Sequence, residues 1–488
     1  MDRRSLFWLA LALLILPALV LIPRFGVQQD EALFAPGVYG RIQIESRWHD
    51  VPVMLMSYVG ALKAWIYAPW FALWRPSALS LRLPVVALAA AAVVLFWLAL
   101  RRTAGSAVAG AGALLLAADT SFLLTTTLDW GPVALQLLLT CAAVWLLLAG
   151  RWGWAGFLLG LALWNKAVFL WFLAPAPVLA FFVRRRRLLL LAATFAVGAS
   201  PLLWYNATHA WRTLRDNGSL SAQYLLYRAG VARDTLDGSA LLGYLVPDEP
   251  SPWPRRSALA AALPVALVFL LWRRRHRLVV AAAGGYAIVV WLFMCLSGGG
   301  WSAHHGVLLW PIPHLLIALA IGELFAIRPR VALAALAVLV VSSLAVTARY
   351  IDLVIRRGPT LVWTDAVYPL AAEFTAPLPR EVIAVDWGIS HPLLLLSAGQ
   401  IPVVIGSEAL LHHDAPAAEV ELLRRRIAAR DTVFVSHPDG SEIQRGINHR
   451  LWSVAASMGF RKQPLRIITD SHGRPAFELF RFEPLGSR

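Results

Sequence analysis

Two adjacent carboxylates, Asp30 and Glu31, stand in the stretch GVQQDEALFAPG, directly behind an uninterrupted apolar run. A third, Asp129, lies in TTTLDWGPVALQLLL, and basic residues follow a similar habit: Lys63 in SYVGALKAWIY, Arg82 in SALSLRLPVVAL and Lys166 in GLALWNKAVFL. Carboxylates can take up a proton, while lysine holds an anion as a point charge and arginine can grip two of its oxygens. The acids are scarce. In the first 215 residues they are Asp2, Asp30, Glu31, Glu45, Asp50, Asp119 and Asp129. A carboxylate at membrane level costs several kcal/mol unless it faces water, a cavity or a partner, so such residues are functional suspects. Taken alone, Asp30 and Glu31 fit two readings: a reactive pair, or a cap on a following interfacial helix worth about 1 kcal/mol. Asp129 is open in the same way, and Lys63 and Arg82 could simply snorkel beside AWIYAPWFALW.

The elements that position these residues are membrane helices. Of 488 residues, 59% are hydrophobic and 15% charged, against about 25% charged in ordinary globular domains; mean hydropathy is +0.64. A net charge of +16 would suggest nucleic acid in a soluble domain. Here the arginines come in short clusters between apolar runs, the pattern of cytoplasmic loops, so no nucleic-acid partner is expected. The first run, residues 6–23, follows Arg3 and Arg4 but lacks a small-x-small cleavage site and reads as an anchor. The two cysteines, Cys141 and Cys295, lie within apolar runs, which argues against a disulfide framework or a zinc site.

Apolar runs at 6–23, 83–100, 107–124, 131–149, 153–166, 167–183, 188–205, 258–272, 278–296, 307–326 and 331–349 predict about eleven transmembrane helices. The clusters at 3–4, 101–102, 150–151, 184–187, 273–277 and 328–330 then share one side, the cytoplasmic one. The N-terminus is inside, and the C-terminus outside. Long outer segments cover about 24–82, 206–257 and everything after 350. The first, with APGVYGRIQIESRW and VPVMLMSYVGALKAWIYAPWFALW, is expected to form interfacial helices. Lys166 would sit at the outer tip of a tight hairpin between the fifth and sixth runs. Residues 351–488 change character: β-type runs EVIAVDWG, IPVVIG, DTVFVSH, LRIITD and AFELFRF alternate with helical patterns, predicting a soluble extracytoplasmic α/β domain beside a transmembrane domain of 1–350.

The DE pair after the first span, the outer Asp129 before the fourth and Lys166 between short runs together resemble the GT-C membrane glycosyltransferases. The nearest subset is the one with protein O-mannosyltransferases and the lipid A aminoarabinose transferase (glycosyltransferase family 39-like). The resemblance covers roughly 1–350. Lys63 falls where these enzymes carry a basic residue in the first outer loop, and Arg82 matches their arginine at the second span. The usual Thr-Lys-Gly is Asn165-Lys166-Ala167 here, and no proline follows Lys63. The resemblance implies transfer of a hexosyl or pentosyl group from a polyprenyl-phosphate sugar to an acceptor at the outer face of the cytoplasmic (inner) membrane, by inverting single displacement. In it Asp30 is the base, Glu31 orients it or binds a sugar hydroxyl, and Asp129 positions acceptor or sugar. Lys63, Arg82 and Lys166 hold the donor phosphate. Arg41, with His304 and His305 of SGGGWSAHHGVLLWPIPH, would be further donor or acceptor contacts; adjacent histidines make a poor metal pair, and no cofactor or metal is indicated. His412 and His413 read as surface residues. A lipid-linked oligosaccharide ligase or arabinosyl-type transferase of the same fold is a close rival. A transporter or flippase is the alternative from another class, but it calls for mid-span ionisable residues and repeated halves, whereas here the charges gather at outer helix ends and no internal repeat occurs.

Overall fold

The computed structural model describes residues 3–173, 183–297, 302–374, 377–411 and 415–486. His412 and His413, the end of the sixth run and Gly298–Gly300 lie outside the described residues.

Each expected apolar run is mostly helical where it is described, several with a break inside or a non-helical end. Among the described residues four helices are long and apolar enough to cross a membrane: Ser5–Arg24, Ala78–Thr103, Arg277–Leu296 and Pro329–Arg357. Two bent pairs pass the same test together, Arg185–Gly198 with Ser200–Thr208 at 64° and Ala303–Leu309 with Ile312–Ile327 at 47°. Ser106–Ala118, Val133–Leu148 and Leu259–Arg273 are apolar but shorter. The bend after Gly198 has a cause in Pro201, which can open a helix but not continue one. A similar break interrupts the third run, because Asp119 ends one helix and caps the next by accepting the Phe122 N–H at 2.8 Å.

The membrane part begins with α1 (Arg3–Leu21), short α2 (Ala35–Tyr39) and α3 (Leu62–Leu73). It continues through α4 (Ala78–Thr103), α5 (Ser106–Ala118), α6 (Thr120–Thr125), α7 (Val133–Leu148) and α8 (Trp152–Asn165). A Ser77–Ser80 capping box starts α4, and Arg101 and Arg102 meet the negative end of its dipole. Small residues bring helices together in the absence of a hydrophobic drive between them. Where α8 crosses Arg185–Gly198, a Cβ on Gly160 would stand 2.2 Å from the Phe195 carbonyl oxygen, and one on Gly198 2.2 Å from that of Phe157. The fifth apolar run ends one residue early, as α8, leaving Lys166 in the turn that follows.

The first outer segment corrects one expectation. Where interfacial helices alone were expected, a small antiparallel sheet, β1 (Ser46–Trp48), β2 (Val51–Met56) and β3 (Val59–Gly60), stands between the short α2 and α3. The middle strand buries Val53, Met54 and Leu55 in succession, so it lacks the alternation that separates strand from helix in a sequence. On α3 the exposed Trp65, Ile66 and Leu73 give the amphipathic surface of an interfacial helix.

Each of the five C-terminal β-type runs is a strand: β4 (Glu381–Ala384), β5 (Val403–Ile405), β6 (Thr432–Ser436), β7 (Phe460–Thr469) and β8 (Pro475–Pro484). They form one sheet in the order β5-β4-β6-β8-β7. The β5-β4-β6 part is parallel, and β8 and β7 complete it antiparallel.

Candidate functional site

The segment between α1 and α2 is held from beneath by Arg82, on the first turns of α4. The guanidinium is fully buried. Its Nε and Nη2 donate to the two Glu31 carboxylate oxygens at 2.8 and 2.7 Å, Nη1 to the carbonyls of Ile22 and Phe25 at 2.7 and 2.9 Å, and Nη2 to that of Gly26 at 2.7 Å. Arginine has five N–H donors in all, so none is left for a phosphate. This departs from both expected roles. Arg82 staples the loop, and Glu31, itself buried, is the counter-charge that makes the staple tolerable rather than an accessory to a neighbouring base.

That arrangement separates the two adjacent carboxylates. The Gln28 side-chain oxygen accepts the N–H groups of Asp30 and Glu31 at 2.7 and 3.1 Å, forming a tight turn from which Glu31 points inward. Asp30 is only half-buried and enters no ion pair among the described residues. It lines a small cavity with Phe34, Leu55, Val59, Gly60, Lys63 and Pro132. Burial pushes its carboxyl above the ordinary value of 3.8, against the opposing pull of the Gln28 hydrogen bond and the Lys166 charge.

Lys63 and Asp129, expected in separate roles, are one buried ion pair. Lys63 Nζ donates to Asp129 Oδ2 at 2.8 Å and to the Asp129 carbonyl at 3.2 Å. The Nζ lies 5.1 Å from the Phe34 ring centroid. The other oxygen, Oδ1, accepts the Ala134 N–H at 3.0 Å, so Asp129 also caps α7. Lys166 is different. It is buried, yet among the described residues its ammonium makes one hydrogen bond, to the Gly131 carbonyl at 3.0 Å, leaving two of its three donors uncommitted. Burial pulls it down to about 8, with Asp129 and Asp30 opposing.

His304 joins this group through Trp130, whose indole N–H donates to its Nδ1 at 2.7 Å. His305 packs beside His304, the two rings tilted at 42° with centroids 4.1 Å apart. It also walls a groove with Tyr58, Ala167, Val168, Leu170, Trp171 and Met294. That groove starts at the residue after Lys166 and is mostly apolar. Arg41 is exposed and shares none of the bonds that tie the cluster together among the described residues. No group of three metal-ligating side chains occurs among the described residues.

Residues not anticipated from the sequence hold the site in place. Asp119 Oδ2 accepts from Trp310 Nε1 and His314 Nε2, each at 3.0 Å. It thereby ties the segment carrying His304 to α6, which leads to Asp129. Gln28 and Gln29 set the turn, and only their adjacency to the DE pair could have singled them out.

No protein-family model and no curated protein matches this sequence. Solved structures do. The structure of ArnT from Cupriavidus metallidurans bound to undecaprenyl phosphate aligns over 98% of this chain and 97% of its own, with TM-score 0.63 at 12% identity. Its apo state aligns over 99% of both chains, with TM-score 0.62 at 14% identity. The apo oligosaccharyltransferase of Archaeoglobus fulgidus aligns over 89% of this chain and 69% of its own, with TM-score 0.50 at 12% identity. This chain has the GT-C fold that these proteins share, as the order of its carboxylates and basic residues led us to expect.

Proposed function

We propose that this protein is a glycosyltransferase that moves a sugar from a polyprenyl-phosphate carrier to an acceptor hydroxyl or amine at the outer membrane face. The observation that carries this reading is the neighbourhood of Asp30, Lys166 and the apolar groove. A carboxylate without an ion pair, raised by burial, lies within electrostatic reach of a lysine with uncommitted donors, and the residues directly after that lysine line a groove suited to a prenyl chain. The GT-C fold, found in an ArnT bound to undecaprenyl phosphate, supports it.

In this reading the acceptor heteroatom attacks the anomeric carbon as the bond from that carbon to the phosphate oxygen breaks. The acceptor proton passes to Asp30, and the negative charge released on the phosphate is met by Lys166. One base suffices for such an inverting displacement, since no glycosyl-enzyme forms. Lys63 walls the small cavity that Asp30 lines, and its partner Asp129 stands two residues before Gly131, whose carbonyl holds Lys166. Trp130 and His304 offer contacts to sugar or acceptor. Glu31 and Arg82 hold the loop. The sugar is a hexose or pentose. We further propose eleven crossings of an inner membrane with the N-terminus inside, and an organisation into a catalytic membrane domain, 1–350, and an extracytoplasmic domain, 351–488.

Mass spectrometry of lipids that co-purify with the protein tests the donor class, together with release of undecaprenyl phosphate from undecaprenyl-phosphate mannose and aminoarabinose in envelope extracts. A protein that takes its sugar from a soluble nucleotide-sugar without a lipid carrier would overturn the reading. For sidedness, Gln43→Cys and Ser441→Cys place thiols at exposed positions. Both should react with an impermeant reagent on intact spheroplasts; labelling only after lysis would reverse the topology.

A further inference from the structure

The C-terminal sheet has a place where a ligand would ordinarily bind. From β4 the chain runs to β5 on one side and then crosses back to β6 on the other, so the carboxyl ends of β4 and β6 form a topological switch point, the customary crevice of an open α/β sheet. The residues that follow these two strands meet there. His437 Nδ1 lies 2.7 Å from Asp386 Oδ2, and Asp386 also accepts the N–H groups of Trp387, Ile443 and Gln444. Both side chains are buried. The chain itself largely occupies this crevice. The buried Val27 of the loop before the carboxylate pair reaches into it beside Leu361, Val362 and Thr364, leaving a small cavity against Trp387, Gly388 and His437.

Around this crevice the loop is tied down at successive residues. The Tyr368 hydroxyl donates to the Phe25 carbonyl at 2.9 Å, and the Gly26 N–H to the Trp363 carbonyl at 2.8 Å. The approach at Gly26 is so close that a Cβ there would stand 1.8 Å from the Thr364 carbonyl oxygen. Gln29 is held on three atoms. Its Nε2 donates to Ser390 Oγ at 3.1 Å, its Oε1 accepts the His391 N–H at 3.2 Å, and its carbonyl lies 3.4 Å from His391 Nδ1. A carbonyl only accepts, so that ring nitrogen carries the proton. Burial draws His391 down to about 4, which keeps the ring neutral at pH 7 with its proton on that nitrogen. Asp30 is the next residue in the chain.

We propose that the C-terminal α/β unit acts as a brace for the catalytic loop, its ligand crevice given over to gripping residues 25–29, with Ser390 and His391 as positioning residues for Asp30. Arg82 and Glu31 hold the loop from the membrane side, and the brace holds it from the outer side, so Asp30 stands between two fixed supports. This rests on the proposed role of Asp30 as base. It predicts that loosening Gln29 leaves donor binding intact and slows the chemical step, because only the placement of the base changes.

The test uses the full-length protein in detergent micelles with Ser390→Ala, Gln29→Ala, the double variant and Ser390→Thr. Amide hydrogen exchange across residues 26–33 should quicken about two- to tenfold in Ser390→Ala, the effect of losing one buried hydrogen bond, and at least as much in Gln29→Ala, which loses two. Turnover of the undecaprenyl-phosphate sugar should fall about tenfold or more with KM and the affinity for bare undecaprenyl phosphate unchanged. The double variant should be no worse than Gln29→Ala, which already removes the bond to Ser390, and Ser390→Thr, which keeps the hydroxyl, should recover most of the rate. Unchanged exchange in both alanine variants would overturn the brace. So would additive losses with a raised KM, which would mean that Ser390 meets the substrate directly. If the wild-type protein turns over no lipid-linked sugar, the proposed function fails, and the exchange comparison still decides the brace.

Discussion

Replacing Arg82 by lysine separates a structural role from a phosphate-binding one, because the two roles make opposite demands on the substitution. A phosphate ligand at this position would tolerate Lys, which carries the same charge. The observed geometry would not. Five donors meet two carboxylate oxygens and three backbone carbonyls, and lysine has three donors on one atom. At least two acceptors are then orphaned in a buried site. Hydrogen bonds to charged groups are worth about 1.5–3 kcal/mol each, so Arg82→Lys should cost about 3–6 kcal/mol, comparable to the roughly 3–5 kcal/mol of breaking a buried ion pair. At about 1.4 kcal/mol per tenfold, the folded-to-unfolded ratio falls at least about a hundredfold. The protein supplies its own reporters: Cys141 and Cys295 are its two cysteines, and both are buried. A thiol-reactive fluorophore followed on heating should show Arg82→Lys unfolding well below the wild type, while the protein still folded binds undecaprenyl phosphate normally. Wild-type unfolding combined with binding weakened about tenfold or more would refute the staple and return Arg82 to the phosphate.

Other outcomes follow from the same geometry. Asp30→Asn should abolish transfer and leave the protein at least as stable at pH 7, since a half-buried charge without an ion pair among the described residues is removed. The pH dependence has opposite signs for rate and stability. With its folded value raised above 3.8, Asp30 binds a proton more tightly in the native than in the unfolded chain. Stability from this group therefore grows as pH falls through that raised value, while turnover is lost over the same window; pH series of thermal unfolding and of initial rates, with Asp30→Asn removing the stability gain, check both. Lys166 titrates near 8, so affinity for undecaprenyl phosphate should weaken as pH rises through about 8, and Lys166→Arg should flatten that profile in a lipid-binding titration. Lys63→Met should destabilise by about 3–5 kcal/mol by leaving Asp129 unpaired in the interior, and adding Asp129→Asn should recover part of that loss in the same thiol-accessibility melt.

What the sequence disclosed tracks the range of the forces involved. The strands after residue 380 were legible because short β-branched runs bounded by Gly, Pro and Asp carry their own signal, and apolar runs declare helices in the same way. The order of Asp30, Lys63, Asp129 and Lys166 along the chain pointed to the fold. Pairings were not legible. Nothing in the spacing of Glu31 and Arg82, or of Lys63 and Asp129, distinguishes a partner from a neighbour in an active site, and both pairs had been divided between catalytic and binding roles. The β1-β2-β3 sheet was missed because its middle strand is covered on both faces and its apolar residues run on without alternation. The grip of Ser390 and His391 on Gln29 left no trace at all: uncharged residues so far apart in sequence reveal a bond only when the chain is folded.

That last separation fixes when the protein becomes competent. Gln29 and Ser390 are 361 residues apart, so the loop bearing Asp30 leaves the ribosome long before the residues that seat it exist. At roughly 5–20 residues per second, about 20–70 s of synthesis pass between the two. Throughout that interval a nascent chain already anchored in the bilayer carries its carboxylate pair on an unseated loop. If Asp30 is the base proposed above, completion of the reactive centre waits until residues 390 and 391 have been made, and a chain cut short anywhere before residue 391 is left without its seat for Gln29.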